Sequence, residues 1–155
     1  MALFQLYAPD PEVRDLYADN VNYASDSGLN LFFPETLELK KGTTTLVDLK
    51  VSGAFFDGGR RRAFFMIPRS SIYKSRVRMA NSVGLVDSLY SGTLKTALDA
   101  LDDYTIQKGT SLFQICLPTL EPFPTIVLSE KQETTAERGE GGFGSTDGRV
   151  AAMLK

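Results

Sequence analysis

The chain has 155 residues, 43% of them hydrophobic, enough for one domain with a substantial core. Its 17 basic and 19 acidic side chains leave a formal charge of −2, unlike the strongly basic footprint of a nucleic-acid binder. It holds no histidine and one cysteine, Cys116, which excludes histidine-based triads, imidazole metal sites and an intrachain disulfide.

Any catalysis must therefore rest on carboxylates, hydroxyls, arginines or a hard metal ion. No apolar stretch approaches the roughly 18–20 residues of a membrane span. Met1-Ala2-Leu3-Phe4-Gln5 lacks the basic residues and long apolar segment of a signal peptide. An intracellular, soluble protein with no membrane or nucleic-acid partner is expected.

In chain order, Pro11 to about Ala18 fits a short helix. Leu37-Glu38-Leu39 leads into the turn Lys40-Lys41-Gly42, and Thr43 to Val51 alternates on a β-branched background. Arg60-Arg61-Arg62, the one basic run, follows Asp57-Gly58-Gly59 and is expected as the solvated far side of a hairpin turn. Ala63 to Ile67 precedes Pro68, and a second short helical turn is expected through Ser71-Ile72-Tyr73-Lys74. Leu94 to Leu98 follows Gly92, Ser111 to Leu117 ends at Pro118, and Pro124 leads into Thr125-Ile126-Val127-Leu128. Many short strands bounded by Gly, Pro and Asp predict an all-β sandwich or barrel, its strands drawn from Ala24 to Leu128. Cys116, inside the apolar run Leu112 to Leu117, is expected as buried packing.

The composition shifts near Ser129 from strand chemistry to charged and then glycine-rich sequence. A catalytic domain over residues 1–137 and a flexible arm over 138–155 are expected. Five of the ten residues from Gly139 to Gly148 are glycine, too many for a regular element. Yet Arg138 can fork onto phosphate oxygens, Phe143 can stack on a flat ring, and Ser145 and Thr146 add hydroxyl donors beside the glycine N–H groups. By itself such a stretch reads better as a plain glycine-rich tail.

Three further segments carry chemistry. In Asn81 to Gly92, Gly84 and Gly92 flank an apolar pair, the carboxylate Asp87 and Tyr90, which fits a β-hairpin approaching a ligand closely. Taken alone, these residues fit an ordinary hairpin better, with Asp87 in its turn and Tyr90 in the core. Pro68-Arg69-Ser70-Ser71 places a guanidinium and paired hydroxyls at a helix start, a pattern that suits an anion. Gly109 to Gln114 is a glycine turn into a strand, with Gln114 polar amid apolar residues and able to reach toward phosphate.

In this order, the segments resemble the trimeric dUTPase family, the deoxyuridine triphosphate nucleotidohydrolases. Its five motifs look like Ser27 to Leu31, Pro68 to Ser71, Gly84 to Gly92, Gly109 to Gln114, and Arg138 to Thr146. The resemblance implies a jelly-roll-like homotrimer with shared active sites that hydrolyses dUTP to dUMP and pyrophosphate with Mg2+. That activity limits uracil incorporation into DNA and supplies dUMP for dTMP synthesis. The resemblance makes Asp87 the ligand of the deoxyribose 3′-OH and the general base on the attacking water. It has Tyr90 pack under the sugar, while Asn81 and the backbone from Gly84 to Val86 read the uracil edge. Arg69, Ser70, Ser71 and Gln114 would hold phosphates from a neighbouring subunit. Phe143 would stack on uracil, with Arg138, Gly144, Ser145 and Thr146 closing over the phosphates.

Some residues depart from the family pattern. Asn30 stands where the family usually has an aspartate near the metal's water shell, so its metal role is indirect. Leu89, Ser91 and Asp147 also replace usual residues. The related dCTP deaminases share the fold but carry a glutamate soon after the third motif, and Thr93 to Leu98 has no carboxylate. A dUTPase-like trimeric interaction protein with weakened catalysis is the rival reading from another class.

Overall fold

The computed structural model describes residues 2–18 and 25–133. The first half forms β1 (Ala2–Tyr7), α1 (Pro11–Ala18), β2 (Gly28–Leu31), β3 (Leu37–Leu39), β4 (Thr44–Asp48), β5 (Ser52–Asp57), β6 (Arg60–Arg62) and β7 (Phe64–Pro68). A 3-10 turn (Ser70–Lys74) leads to β8 (Val77–Met79), β9 (Gly84–Val86), β10 (Lys95–Ala100), β11 (Tyr104–Ile106), β12 (Phe113–Cys116) and β13 (Thr125–Leu128). The fold is all-β, as the turn-bounded strands predict, and jelly-roll-like, as the family resemblance implies.

The strands pair as β13-β1-β5-β6, β4-β10-β8, β11-β3 and β2-β12-β7-β9. All four sheets feed one core: Phe4 and Leu6 from the first, Val47 and Leu98 from the second, Leu39 and Ile106 from the third, Leu31, Phe64 and Ile115 from the fourth. Phe4 meets Phe64 edge-on at 5.0 Å, a favoured aromatic geometry that ties the first sheet to the fourth.

Local chemistry explains the helix. Asp10 Oδ1 accepts the Glu12 N–H at 2.9 Å, and Pro11 occupies the first helical position, where its missing N–H costs nothing. Val13 and Tyr17, four residues apart, form the buried stripe. The buried Phe32 N–H donates to the Tyr17 hydroxyl at 3.0 Å, and burial pushes the phenol pKa up.

Three expectations are corrected. Ala2–Tyr7 is a strand, central in its sheet between β5 and a parallel β13, although the strands were expected only from Ala24 onward. Thr43 to Val51 is not one strand: Asp48 Oδ1 accepts the Lys50 N–H at 2.7 Å, and Lys50, at φ 60°, turns the chain toward β5. Gly84 to Gly92 is not a hairpin, because β9 pairs with β7 while the next strand, β10, pairs with β4 and β8.

Candidate active site

The first four motifs, scattered from Ser27 to Gln114 in sequence, are gathered on the sheet β2-β12-β7-β9 and at its strand ends. In the register, Gln114 lies between Asn30 of β2 and Ile67 of β7. Strand alternation sends Leu29, Leu31 and Ile115 into the core and leaves Asn30 and Gln114 half-buried on the other face. Gly28 allows this arrangement. A Cβ there would fall 2.0 Å from Gln114 Oε1, so the amide occupies space that only a glycine leaves open.

The Arg69 N–H donates to the Leu112 carbonyl at 2.8 Å, and its Nη1 donates to the Ser111 carbonyl at 3.0 Å. These bonds lash the second motif to the strand entry of the fourth. Ser70, exposed, and Ser71, half-buried, open the 3-10 turn directly after it.

The third motif borders the same sheet. Asn81 is exposed and its Nδ2 contacts the Val83 carbonyl at 3.4 Å. Ser82 sits at φ 61°, a left-handed conformation that turns the chain into β9. Gly84 packs against β7, where an added Cβ would meet the Met66 carbonyl at 3.3 Å, and Val86 is buried. Asp87 is half-buried in the turn that follows, which the Tyr90 N–H closes on the Asp87 carbonyl at 3.1 Å. Tyr90 is 8% exposed and belongs to the core cluster, its hydroxyl donating to the Thr93 carbonyl at 2.6 Å. A model of the dUTPase family matches residues 17–147, most of the chain and every motif described.

The chain belongs to the dUTPase family.

Its curated relatives include the deoxyuridine 5′-triphosphate nucleotidohydrolase of Shigella flexneri serotype 5b, 35% identical over 142 residues, 87% of this chain and 91% of that protein. The enzyme of the same name from Idiomarina loihiensis is 35% identical over 113 residues, 71% of this chain and 72% of its own. Among solved structures, a Staphylococcus bacteriophage 80alpha dUTPase with dUpNHpp aligns at a TM-score of 0.58 and 20% identity, over 92% of this chain and 97% of that one. The EIAV dUTPase aligns at 0.53 and 14% identity, over 88% and 98%. Identities this low speak for the dUTPase fold alone.

The arm motif, with Arg138, Phe143, Gly144, Ser145 and Thr146, lies outside the described residues. Cys116 is buried as expected, and burial raises its thiol pKa, away from nucleophilic use. Arg60-Arg61-Arg62 is not uniformly solvated. Arg60 and Arg62 are exposed, but Arg61 is half-buried and its Nη2 donates to the Tyr90 carbonyl at 3.2 Å. The signal lay in the turn: two central glycines at positive φ, Gly58 (60°) and Gly59 (77°), make a two-residue hairpin that sets Arg61 opposite Phe56. Alternation then puts Arg61 on the face opposite its two neighbours.

Proposed function

We propose that the chain hydrolyses dUTP to dUMP and pyrophosphate in active sites shared between the copies of a homotrimer. The observation that carries this reading is the one sheet that bears Asn30 and Gln114 side by side, with Arg69 beyond one end of β7 and the Gly84 to Asp87 segment at the other. The family membership and the relatives' nucleotidohydrolase name support the same chemistry.

Asp87 takes the proton from a water whose oxygen bonds to the α-phosphorus as the bond from that phosphorus to the bridging oxygen breaks, releasing pyrophosphate. Arg69, Ser70, Ser71 and Gln114 hold the phosphate oxygens, while Asn81 and the backbone from Gly84 to Val86 read the base. Tyr90 shapes the sugar end. Arg138, Phe143, Gly144, Ser145 and Thr146 close the site in this reading.

Among the described residues no group of three or more Cys, Asp or Glu side chains stands together as a metal cage. Mg2+ usually keeps waters and binds substrate phosphates. The neutral amides of Asn30 and Gln114 therefore fit an ion that arrives on the triphosphate. Bound there, Mg2+ would neutralise charge on the phosphate oxygens.

Strand geometry supports sharing between copies. The register that pairs Val86 with Phe64 leaves Asp87 near the Ala63 end of β7, whereas Arg69 follows its other end. The steps from Ala63 to Arg69 span about 20 Å at the rise of an extended chain. A base must come within hydrogen-bond reach of its water, so one chain's Asp87 and Arg69 do not serve the same phosphates. A second copy supplies the missing half. The same sheet face offers it a dry seat: Leu85 and Val83 are 62% and 51% exposed, beside half-buried Phe65 and Ile67.

The test is a panel of dUTP, dCTP, dTTP and UTP with and without Mg2+, alongside light scattering for mass. Pyrophosphate release confined to dUTP, from a trimer, is expected. Ammonia released from dCTP would move the assignment to the deaminases, and a trimer inert toward all four would leave an interaction protein.

A further inference from the structure

We infer that Arg61 is a positioning residue for the catalytic turn, holding Asp87 in register by anchoring the Tyr90 peptide. The inference rests on the reading of Asp87 as the base.

The turn from Asp87 to Tyr90 follows a three-residue strand whose ladder partner is β7 alone. Beyond Val86 the chain leaves that ladder, and the Tyr90 N–H closes the turn on the Asp87 carbonyl at 3.1 Å. Tyr90 is then held through both its side chain and its backbone. The hydroxyl donates to Thr93 O at 2.6 Å, and the backbone carbonyl accepts from Arg61 Nη2 at 3.2 Å. Among these contacts the Arg61 bond spans the most sequence, 29 residues, and ties the turn to a different hairpin.

Arg61 is itself held. Its guanidinium carbon lies 6.0 Å from the centre of the Phe56 ring, directly across the β5–β6 ladder. Three residues beyond it the chain enters β7, the strand that carries β9. Arg61 therefore closes a loop of contacts that runs from β6 through β7 and β9 to the turn and back. The placement is costly: burial pulls the guanidinium pKa down, and Nε is buried with no hydrogen-bond partner among the described residues. A surface arginine would not need to bear that cost. Its return is a charge-assisted bond to the carbonyl that terminates the catalytic turn.

The test is a double-variant cycle with kcat and KM measured separately for dUTP. Arg61→Met keeps the stem over Phe56 and deletes the donor. Since small misplacements of a reacting group cost up to about 10²-fold, kcat should fall roughly 10- to 100-fold with KM little changed. Arg61→Lys, which keeps one charged donor, should recover most of the loss. In an Asp87→Asn background, Arg61→Met should cost nothing further, because the arginine acts through that carboxylate. Wild-type kcat in folded Arg61→Met, or an equal loss in both backgrounds, overturns the proposal. Should Arg61→Met fail to assemble, Arg61→Gln, which drops the charge and shortens the reach, carries the cycle, and wild-type kcat or a loss that persists beside Asp87→Asn overturns the proposal in the same way. Full turnover by Asp87→Asn alone would instead overturn the base assignment, a result no Arg61 variant can mimic.

Discussion

Replacing Gly28 by alanine tests whether the sheet face around Gln114 is a working surface. The new Cβ would lie 2.0 Å from Gln114 Oε1, 2.9 Å from its Cδ and 3.5 Å from its Cγ, the three nearest atoms it would meet. The first two distances are far inside contact, but both atoms belong to the end of a flexible side chain. The amide will therefore swing away and the backbone will stay. An off-rotamer glutamine costs about 0.5–1.5 kcal/mol, while alanine in place of a strand glycine returns about 0.5–1 kcal/mol. The two nearly cancel, so Tm should move by no more than about 2–4 °C. Activity should not be spared. A hydrogen bond to a charged group contributes about 1.5–3 kcal/mol, so displacing Gln114 should lower kcat/KM by roughly 10- to 100-fold. Pyrophosphate release from dUTP is the assay, with Gln114→Ala as reference. The double variant should be no worse than Gln114→Ala, because both changes remove the same amide. Wild-type kcat/KM in Gly28→Ala would refute the reasoning, as would additive losses.

Asn30→Asp should lower the Mg2+ concentration needed for half-maximal rate or raise turnover; if neither moves, Asn30 has no metal role. Tyr17→Phe removes the acceptor of the buried Phe32 N–H and should cost about 1–3 kcal/mol in denaturant unfolding. The buried phenol, neutral in the fold, also sets a pH dependence. Its contribution is full below the ordinary pKa of 10.0 and is lost as pH rises above it, when the unfolded chain sheds the proton. Tyr17→Phe should therefore lose stability less steeply than wild type in alkaline melts. Removing residues 138–155 should leave a folded trimer that barely hydrolyses dUTP, whereas a full rate would make the segment a tail.

The all-β class, the helix behind Asp10 and Pro11, the 3-10 turn after Pro68 and the buried Cys116 were all legible in the sequence. Each rests on local chemistry: a capping carboxylate, a fixed proline φ, an apolar run between turns. The family was legible too, because the order of the motifs can be read without any reference to distance, and the family model spans them all. What the sequence left undecided is who pairs with whom. Leu3 to Tyr7 shows no turn signal ahead of it, and its parallel partner Thr125–Leu128 lies at the other end of the described chain. Gly84 to Val86 looked like half of a hairpin, yet its ladder partner comes earlier in the chain, at Phe64 to Met66. Arg61 was one of three like charges until the hairpin register turned it inward to the Tyr90 carbonyl. Side-chain type and turn chemistry act over a few residues and are read within a short window. Register between distant strands is settled by which pairing buries the most apolar surface in one core, and that quantity exists only when the whole chain has folded.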